Sequence, residues 1–175
     1  MSLWHPLKLT GLCYATVDLC LMSGGVAYAN NWILGGGVIG MLGNIALLLG
    51  GSGRQHVTSS ALRRMAPYAE RLAMYLYGIQ NITFIVSGLT GYDHVMYGEI
   101  ACGSIGLLGN VIGLCWPQNA RLGSYQLIGT IWTLNSILVS IAGFESGNLG
   151  VLISGFFGVL GNLFVTVSRR AEFSD

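Results

Sequence analysis

The chain has 175 residues, of which 53% are hydrophobic, only 9% are charged and 27 are glycine. A soluble domain usually carries about 25% charged residues, and glycine is more frequent in membrane helices than in soluble ones. The composition therefore argues against a soluble domain. Basic residues that are few and dispersed, with a net charge of only +1, argue against nucleic acid as a partner.

Six apolar windows follow one another along the chain, each close to the ~20 residues that a membrane-spanning helix requires. The windows lie near residues 9–29, 32–50, 72–91, 97–116, 125–143 and 149–168. This pattern predicts an all-α polytopic membrane protein with six transmembrane helices. The first window is long for the apolar core of a cleaved signal peptide, so we expect the first helix to be retained.

The first window contains Asp18 near its middle, the one charged residue that lies well inside any window. A carboxylate near the bilayer centre costs at least about 2.5–3.5 kcal/mol, and such residues usually mark a functional site. The alternative is a protonated or hydrogen-bonded acid that only holds helices together.

The longest connection, residues 51–71, follows the second window. Its first part is rich in glycine and serine, and a helical pattern with basic residues begins at Thr58. We interpret it either as a linker that leads into a short amphipathic helix on the inner leaflet or as an ordinary solvated loop.

A nine-residue pattern occurs in the second, fourth and sixth windows, at residues 36–44, 102–110 and 154–162. It reads small-Gly-x-x-Gly-apolar-Leu-Gly-Asn, which at about 100° per residue leaves one helix face almost without side chains. Membrane helices associate by close packing and interhelical hydrogen bonds, so these glycines are candidate packing positions. They are Gly37, Gly40, Gly43, Gly103, Gly106, Gly109, Gly155, Gly158 and Gly161.

The motif divides a single transmembrane domain into three two-helix hairpins, residues 9–50, 72–116 and 124–168. An even number of helices in each unit keeps the units in one orientation, which predicts three parallel repeats related by an axis along the membrane normal.

The first helix of each hairpin carries an acid or an amide near its centre, and the second helix carries the motif asparagine. Their similar depth predicts that Asp18 lies beside Asn44, Asn81 beside Asn110, and Asn135 beside Asn162. These six residues form a candidate intramembrane polar site. They either bridge helices or line a central axis that offers a polar ring to a small solute or ion.

All eight Lys and Arg residues lie on one side of the predicted topology, and the connections after the first, third and fifth windows contain none. The positive-inside rule then places both termini in the cytoplasm. We expect an integral protein of the bacterial inner membrane.

No histidine lies inside a window, and no C-x-x-C, nucleophile–base set or nucleotide-binding loop is visible. We therefore expect no enzyme activity, no cofactor and no metal site. The sequence favours a small-solute or ion permease or channel with a pathway between the three hairpins. The alternative is a structural or accessory subunit that docks other membrane subunits, or a second copy, through its glycine-rich faces; in either case the lipid bilayer surrounds the chain.

Overall fold

The computed structural model describes residues 6–55, 60–115 and 122–172. These residues form six α-helices and no strand. The helices are α1 (Pro6–Ala27), α2 (Asn31–Gln55), α3 (Ser60–Thr90), α4 (Tyr97–Cys115), α5 (Leu122–Glu145) and α6 (Leu149–Glu172). Five of them are long and apolar enough to cross a membrane, and α6 contains a shorter apolar part, Leu149–Phe164. The predicted class, an all-helical polytopic membrane protein, is confirmed.

The six helices form a closed ring. Each helix contacts the one before it and the one after it, and α6 returns to contact α1. Within the described residues, no other pair of helices comes into backbone contact. The ring therefore has an interior that side chains from all six helices share.

Three turns lie together at one end of the ring, the hairpin end: residues 28–30, 91–96 and 146–148. In two of them an asparagine directly before the following helix caps that helix. The Oδ1 of Asn30 accepts hydrogen bonds from the main-chain nitrogens of Trp32 and Ile33, and that of Asn148 accepts one from Val151. Such caps satisfy amide groups that a helix leaves unpaired at its start.

The connection at residues 51–71 is more helical than the sequence indicated. The second helix continues to Gln55, and α3 already begins at Ser60, so the basic segment is the first part of α3 rather than a separate helix. With 31 residues, α3 is about 46 Å long, which exceeds the ~30 Å hydrocarbon core of a bilayer. Residues 56–59, the connection at 116–121, and the chain ends at 1–5 and 173–175, on which the topology prediction bears, lie outside the described residues.

The motif glycines face the chain's own helices. A Cβ atom added at Gly37 would lie 2.9 Å from the main-chain oxygen of Asp18, and one added at Gly103 would lie 2.5 Å from that of Asn81. Real Cβ atoms essentially never come within 3.0 Å of another heavy atom, so these backbones touch only because the side chains are absent. Large apolar side chains such as Leu42, Ile45 and Leu108 are exposed on the outside of the ring, where a bilayer would contact them.

Candidate functional site

The ring encloses a cavity of about 110 Å³ on its axis. All six residues of the candidate polar site line this cavity: Asp18, Asn44, Asn81, Asn110, Asn135 and Asn162. Three further polar side chains and four aromatic ones also line it: Gln80, Ser136, Ser154, Tyr14, Tyr77, Phe84 and Trp132. The sequence had therefore identified most of the polar lining, although it gave no reason to expect the aromatic residues there.

Contacts with the motif glycines place the lining residues in layers. The side chains of Asp18, Asn81 and Ser136 lie against Gly40, Gly106 and Gly158, respectively. One helical turn earlier on the same helices, an aromatic ring lies against the next motif glycine: Tyr77 against Gly43, Trp132 against Gly109, and Tyr14 against Gly161. Each of these aromatic contacts joins one hairpin to another.

Ser136 is the third member of the layer that contains Asp18 and Asn81, and Asn162, which we expected beside Asn135, donates a hydrogen bond to this serine. The Nδ2 of Asn162 donates to the Oγ of Ser136 at 3.2 Å, and this pair is separated by 26 residues. Asp18 and Asn44 are also separated by 26 residues. This equal separation was the feature of the sequence that could have identified Ser136 as the counterpart of Asp18. A shift of one residue turns a side chain by about 100° around the helix, which moves Asn135 beside the layer rather than into it.

The interface between α1, α2 and α3 holds Asp18 in a complete hydrogen-bond network. Its Oδ2 accepts from the Nδ2 of Asn44 at 2.5 Å, and its Oδ1 accepts from the Nε2 of Gln80 at 3.0 Å. The Tyr77 hydroxyl in turn donates to the Oδ1 of Asn44. The Asp18–Asn44 contact is the one that their similar depth predicted, whereas the role of Gln80 was not foreseen. Both donors to Asp18 are neutral amides, so no positive side chain balances this acid, whose exposed fraction is 2%.

The interface between α6 and α1 is similarly paired. The Tyr14 hydroxyl donates to the Oδ1 of Asn162 at 2.5 Å, and Asn162 donates to Ser136. At this interface the Ser136 hydroxyl takes the place of the Asp18 carboxyl, so the motif asparagine has no acid as its partner.

The interface between α4 and α5 differs from the other two because its polar groups are unpaired. The Nδ2 and Oδ1 of Asn110 are both buried without a hydrogen-bond partner, as is the Oδ1 of Asn135. Asn81 donates instead to the main-chain oxygen of Tyr77, at 2.8 Å, so the expected Asn81–Asn110 pair forms no hydrogen bond. Trp132 stands where the other interfaces have a tyrosine hydroxyl. A buried amide without a partner costs about 1–3 kcal/mol, and these groups face the cavity.

An apolar cluster closes the cavity toward the hairpin end. Leu21, Phe84 and Val139 follow the Asp18 layer by three residues on their helices, and they pack with three further buried side chains, Ile33, Cys102 and Val151. We call these six residues the apolar plug. In the opposite direction the lining side chains Tyr14, Tyr77 and Trp132 are only half-buried. The cavity is therefore more accessible from the end opposite the hairpin end.

The chemistry of the wall favours cations and neutral hydrogen-bonding groups. No Lys, Arg or His is among the lining residues, whereas a carboxyl, several amide side chains and four aromatic rings are. Anions would meet no opposite charge there. Over the described part of the chain, no group of three or more His, Cys, Asp or Glu residues could hold a metal ion.

A second buried acid was not predicted. Glu99 lies at the edge of the fourth window, where contact with water was to be expected, but its side chain is fully buried, with an exposed fraction of 0%. It precedes the motif asparagine by 110 − 99 = 11 residues, the same spacing as that of Ile33 (44 − 33) and Val151 (162 − 151). That spacing could have shown that Glu99 occupies an inward-facing position.

Comparison of the chain with protein-family models, curated proteins and solved structures finds no match.

Proposed function

We propose that the chain is a small permease or channel whose pathway follows the axis of the ring. The observation that carries this proposal is the cavity between the six helices, whose lining includes the Asp18 carboxyl and Asn110, an asparagine whose two amide atoms have no hydrogen-bond partner. Polar and ionisable groups inside a bilayer are costly, and they occur mainly where ions, protons or polar solutes bind. We assign no enzymatic activity to the cavity, because its wall holds no nucleophile–base pair.

We further propose that the three hairpins are structural repeats arranged around this axis. The contacts of Gly37, Gly103 and Gly155 with main-chain oxygens of the preceding helix support this view, because the same packing recurs in each hairpin. Parallel repeats around an axis along the membrane normal would place the pathway on that axis. The basic residues on one side favour a bacterial inner membrane with both termini in the cytoplasm.

The proposed substrate is a small cation or a neutral polar solute. A cation would interact favourably with the Asp18 carboxyl, with free amide oxygens and with the faces of the aromatic rings. A neutral solute that both donates and accepts hydrogen bonds would satisfy both amide atoms of Asn110.

The alternative, a subunit that docks other chains through glycine-rich faces, has less support. That function needs the glycines to be free on the outside, but they lie against helices of the same chain. The exposed surface instead carries large apolar side chains.

The proposal can be tested without knowing the substrate, by the accessibility of two neighbouring positions. In a background that lacks the four native cysteines, Asn135→Cys places a thiol in the cavity wall. The matched control Leu134→Cys replaces a side chain that is exposed on the outside of the ring. A water-soluble cationic methanethiosulfonate reagent should modify position 135 and leave position 134 unmodified, because only the first is next to a polar cavity.

The charge of the cavity gives a second measurement on the same variant. The cationic reagent should react faster at position 135 than an anionic reagent of similar size, and Asp18→Asn should remove that difference. If Asn135→Cys is as unreactive as Leu134→Cys, the cavity has no aqueous access and the proposed pathway is wrong.

A further inference from the structure

Glu99 is a buried carboxyl group next to the apolar plug. It lies in the first turn of α4, and its side chain is fully buried. Ile33 and Val151, which have the same spacing to their motif asparagines, both belong to the apolar plug. The Glu99 carboxyl thus lies at the hairpin end of the ring, on the far side of Leu21, Phe84 and Val139 from Asp18.

The two oxygens of the Glu99 carboxyl have different environments. Its Oε1 accepts a hydrogen bond from the Tyr92 hydroxyl at 2.6 Å. Its Oε2 is buried and has no hydrogen-bond partner, although the Ser87 hydroxyl lies close enough to act on the carboxyl. A charged carboxylate with an unpaired oxygen in a dry site costs far more than the neutral acid does. These surroundings therefore favour the protonated, neutral form of the Glu99 carboxyl.

The titratable side chains that interact with Glu99 are acidic or neutral, and none of them carries a positive charge. Tyr92 faces it from the α3–α4 turn, Cys102 lies one helical turn further along α4, and Glu145 acts on it from the end of α5. The side chain that α3 contributes, Ser87, does not titrate. Glu145 itself accepts a hydrogen bond from the main-chain nitrogen of Gly98, at 3.0 Å. A second acid nearby adds repulsion, which further favours a neutral Glu99.

Tyr92 covers Glu99 on the side of the hairpin turns. Its side chain is half-buried, whereas the next residues of the turn, Asp93 and His94, are exposed. Burial and the interaction with Glu99 raise the pKa of Tyr92, and the nearby side chains of Ser146 and Asn30 oppose this shift. Tyr92 therefore stays a neutral hydrogen-bond donor. It also lies between Glu99 and groups from the other two hairpins.

We propose that Glu99 is a proton-binding site at the hairpin end of the ring, that Tyr92 is its lid, and that the apolar plug separates it from Asp18. Only the participation of this proton in transport depends on the proposed function. When the lid is closed, the proton is held away from water. When Tyr92 moves aside, water reaches the carboxyl, and the proton can leave on that side of the membrane.

Infrared spectroscopy of the purified protein in lipid nanodiscs tests this site directly. At pH 7, the difference spectrum between the parent and Glu99→Gln should contain the carbonyl band of a protonated carboxylic acid. Asp18→Asn identifies any contribution from the other buried acid. Absence of a Glu99 band would overturn the proposal.

The role of the lid is tested by Tyr92→Ala, which should admit water and remove the Glu99 band at pH 7. Tyr97→Ala is the matched control, because Tyr97 is exposed near the same end of the ring, and it should retain the band. If Tyr92→Ala does not fold, Tyr92→Phe keeps the ring and removes the donor, so the band should persist at a shifted frequency. An unchanged band in Tyr92→Phe, or a persistent one in folded Tyr92→Ala, contradicts the assignment of Tyr92.

The two proposals fail in different ways. A Glu99 band in a protein whose cavity is closed to thiol reagents would leave the proton site standing without a pathway. A reactive cavity without a Glu99 band would leave the pathway standing and remove the proton site.

Discussion

Replacing Trp132 with tyrosine should make the interface between α4 and α5 resemble the other two. At those interfaces a tyrosine hydroxyl donates to the motif asparagine, from Tyr77 to Asn44 and from Tyr14 to Asn162. Trp132 packs on Gly109 as the tyrosines pack on their glycines, yet Asn110 remains without a partner. A hydroxyl at position 132 should reach the Oδ1 of Asn110.

The expected gain in stability follows from the state of Asn110. Satisfying a buried polar group recovers part of about 1–3 kcal/mol, whereas hydrogen bonds measured inside membrane proteins average only about 0.6 kcal/mol, with a maximum of about 1.7. The smaller ring weakens an edge contact with Tyr77, in which the ring centroids are now 6.3 Å apart, and such a contact contributes about 0.5–1.5 kcal/mol. We therefore expect Trp132→Tyr to exceed Trp132→Phe in stability by about 0.6–1.7 kcal/mol.

The comparison with Trp132→Phe isolates the hydroxyl, since the two variants lose the same indole contacts. Unfolding by a denaturing detergent in mixed micelles would measure both free energies, and a double-mutant cycle with Asn110→Ala should assign the difference to that asparagine. If the cavity is a pathway, Trp132→Tyr should also slow cationic thiol modification of Asn135→Cys, because a free amide has been removed from the wall. Tyrosine and phenylalanine variants of equal stability would refute the view that Asn110 lacks an internal donor.

Three further predictions concern charge, packing and topology. Asp18→Asn should leave the fold intact, because an asparagine already occupies the corresponding position, 81, in the second hairpin. It should nevertheless abolish cation or proton flux into dye-loaded liposomes, whereas the control Asp93→Asn should retain that flux. Full flux in Asp18→Asn would mean that Asp18 is purely structural. Gly103→Ala should destabilise the protein by about 1–3 kcal/mol through overpacking. The control Gly35→Ala should be tolerated, because its added Cβ would have no neighbour within 4 Å. Equal melting temperatures of the two variants would contradict the close packing at Gly103. Ser146→Cys should react with an impermeant thiol reagent in intact cells and Ser174→Cys only after permeabilisation, and the reverse pattern would invert the topology.

The helices and the polar positions were predictable because each depends on local information. Windows of about 20 apolar residues specify spans through the thickness of the bilayer, and the depth of Asp18 and Asn44 follows from counting along two antiparallel helices. The glycine pattern also indicated which faces approach closely. The closure of α6 onto α1 was not predictable, because it depends on contacts between residues at opposite ends of the chain, such as Tyr14 with Asn162.

The differences from expectation have physical causes as well. Asn135 was expected beside Asn162 because an amide is the more conspicuous polar group, yet Asn162 donates to the hydroxyl of Ser136. Glu99 was missed because a charged residue near a helix end is normally solvated, and its burial depends on Tyr92 folding over it. The segment from Ser60 belongs to α3, which continues through Pro67, although proline usually ends or kinks a helix.

Closure of the ring also imposes an order on biogenesis. Helix α1 is made before the other five helices of the ring, but one of its two flanking helices, α6, is made after them. The growing chain must therefore hold one side of α1, including Tyr14, against lipid or the insertion machinery until α6 arrives. The other side of α1 is covered much earlier, because α2 and α3 bring Asn44 and Gln80 to Asp18. The Asp18 carboxyl is thus covered once the third helix is in place, and the interface that must wait for α6 is the one where the neutral Ser136 takes the place of an acid.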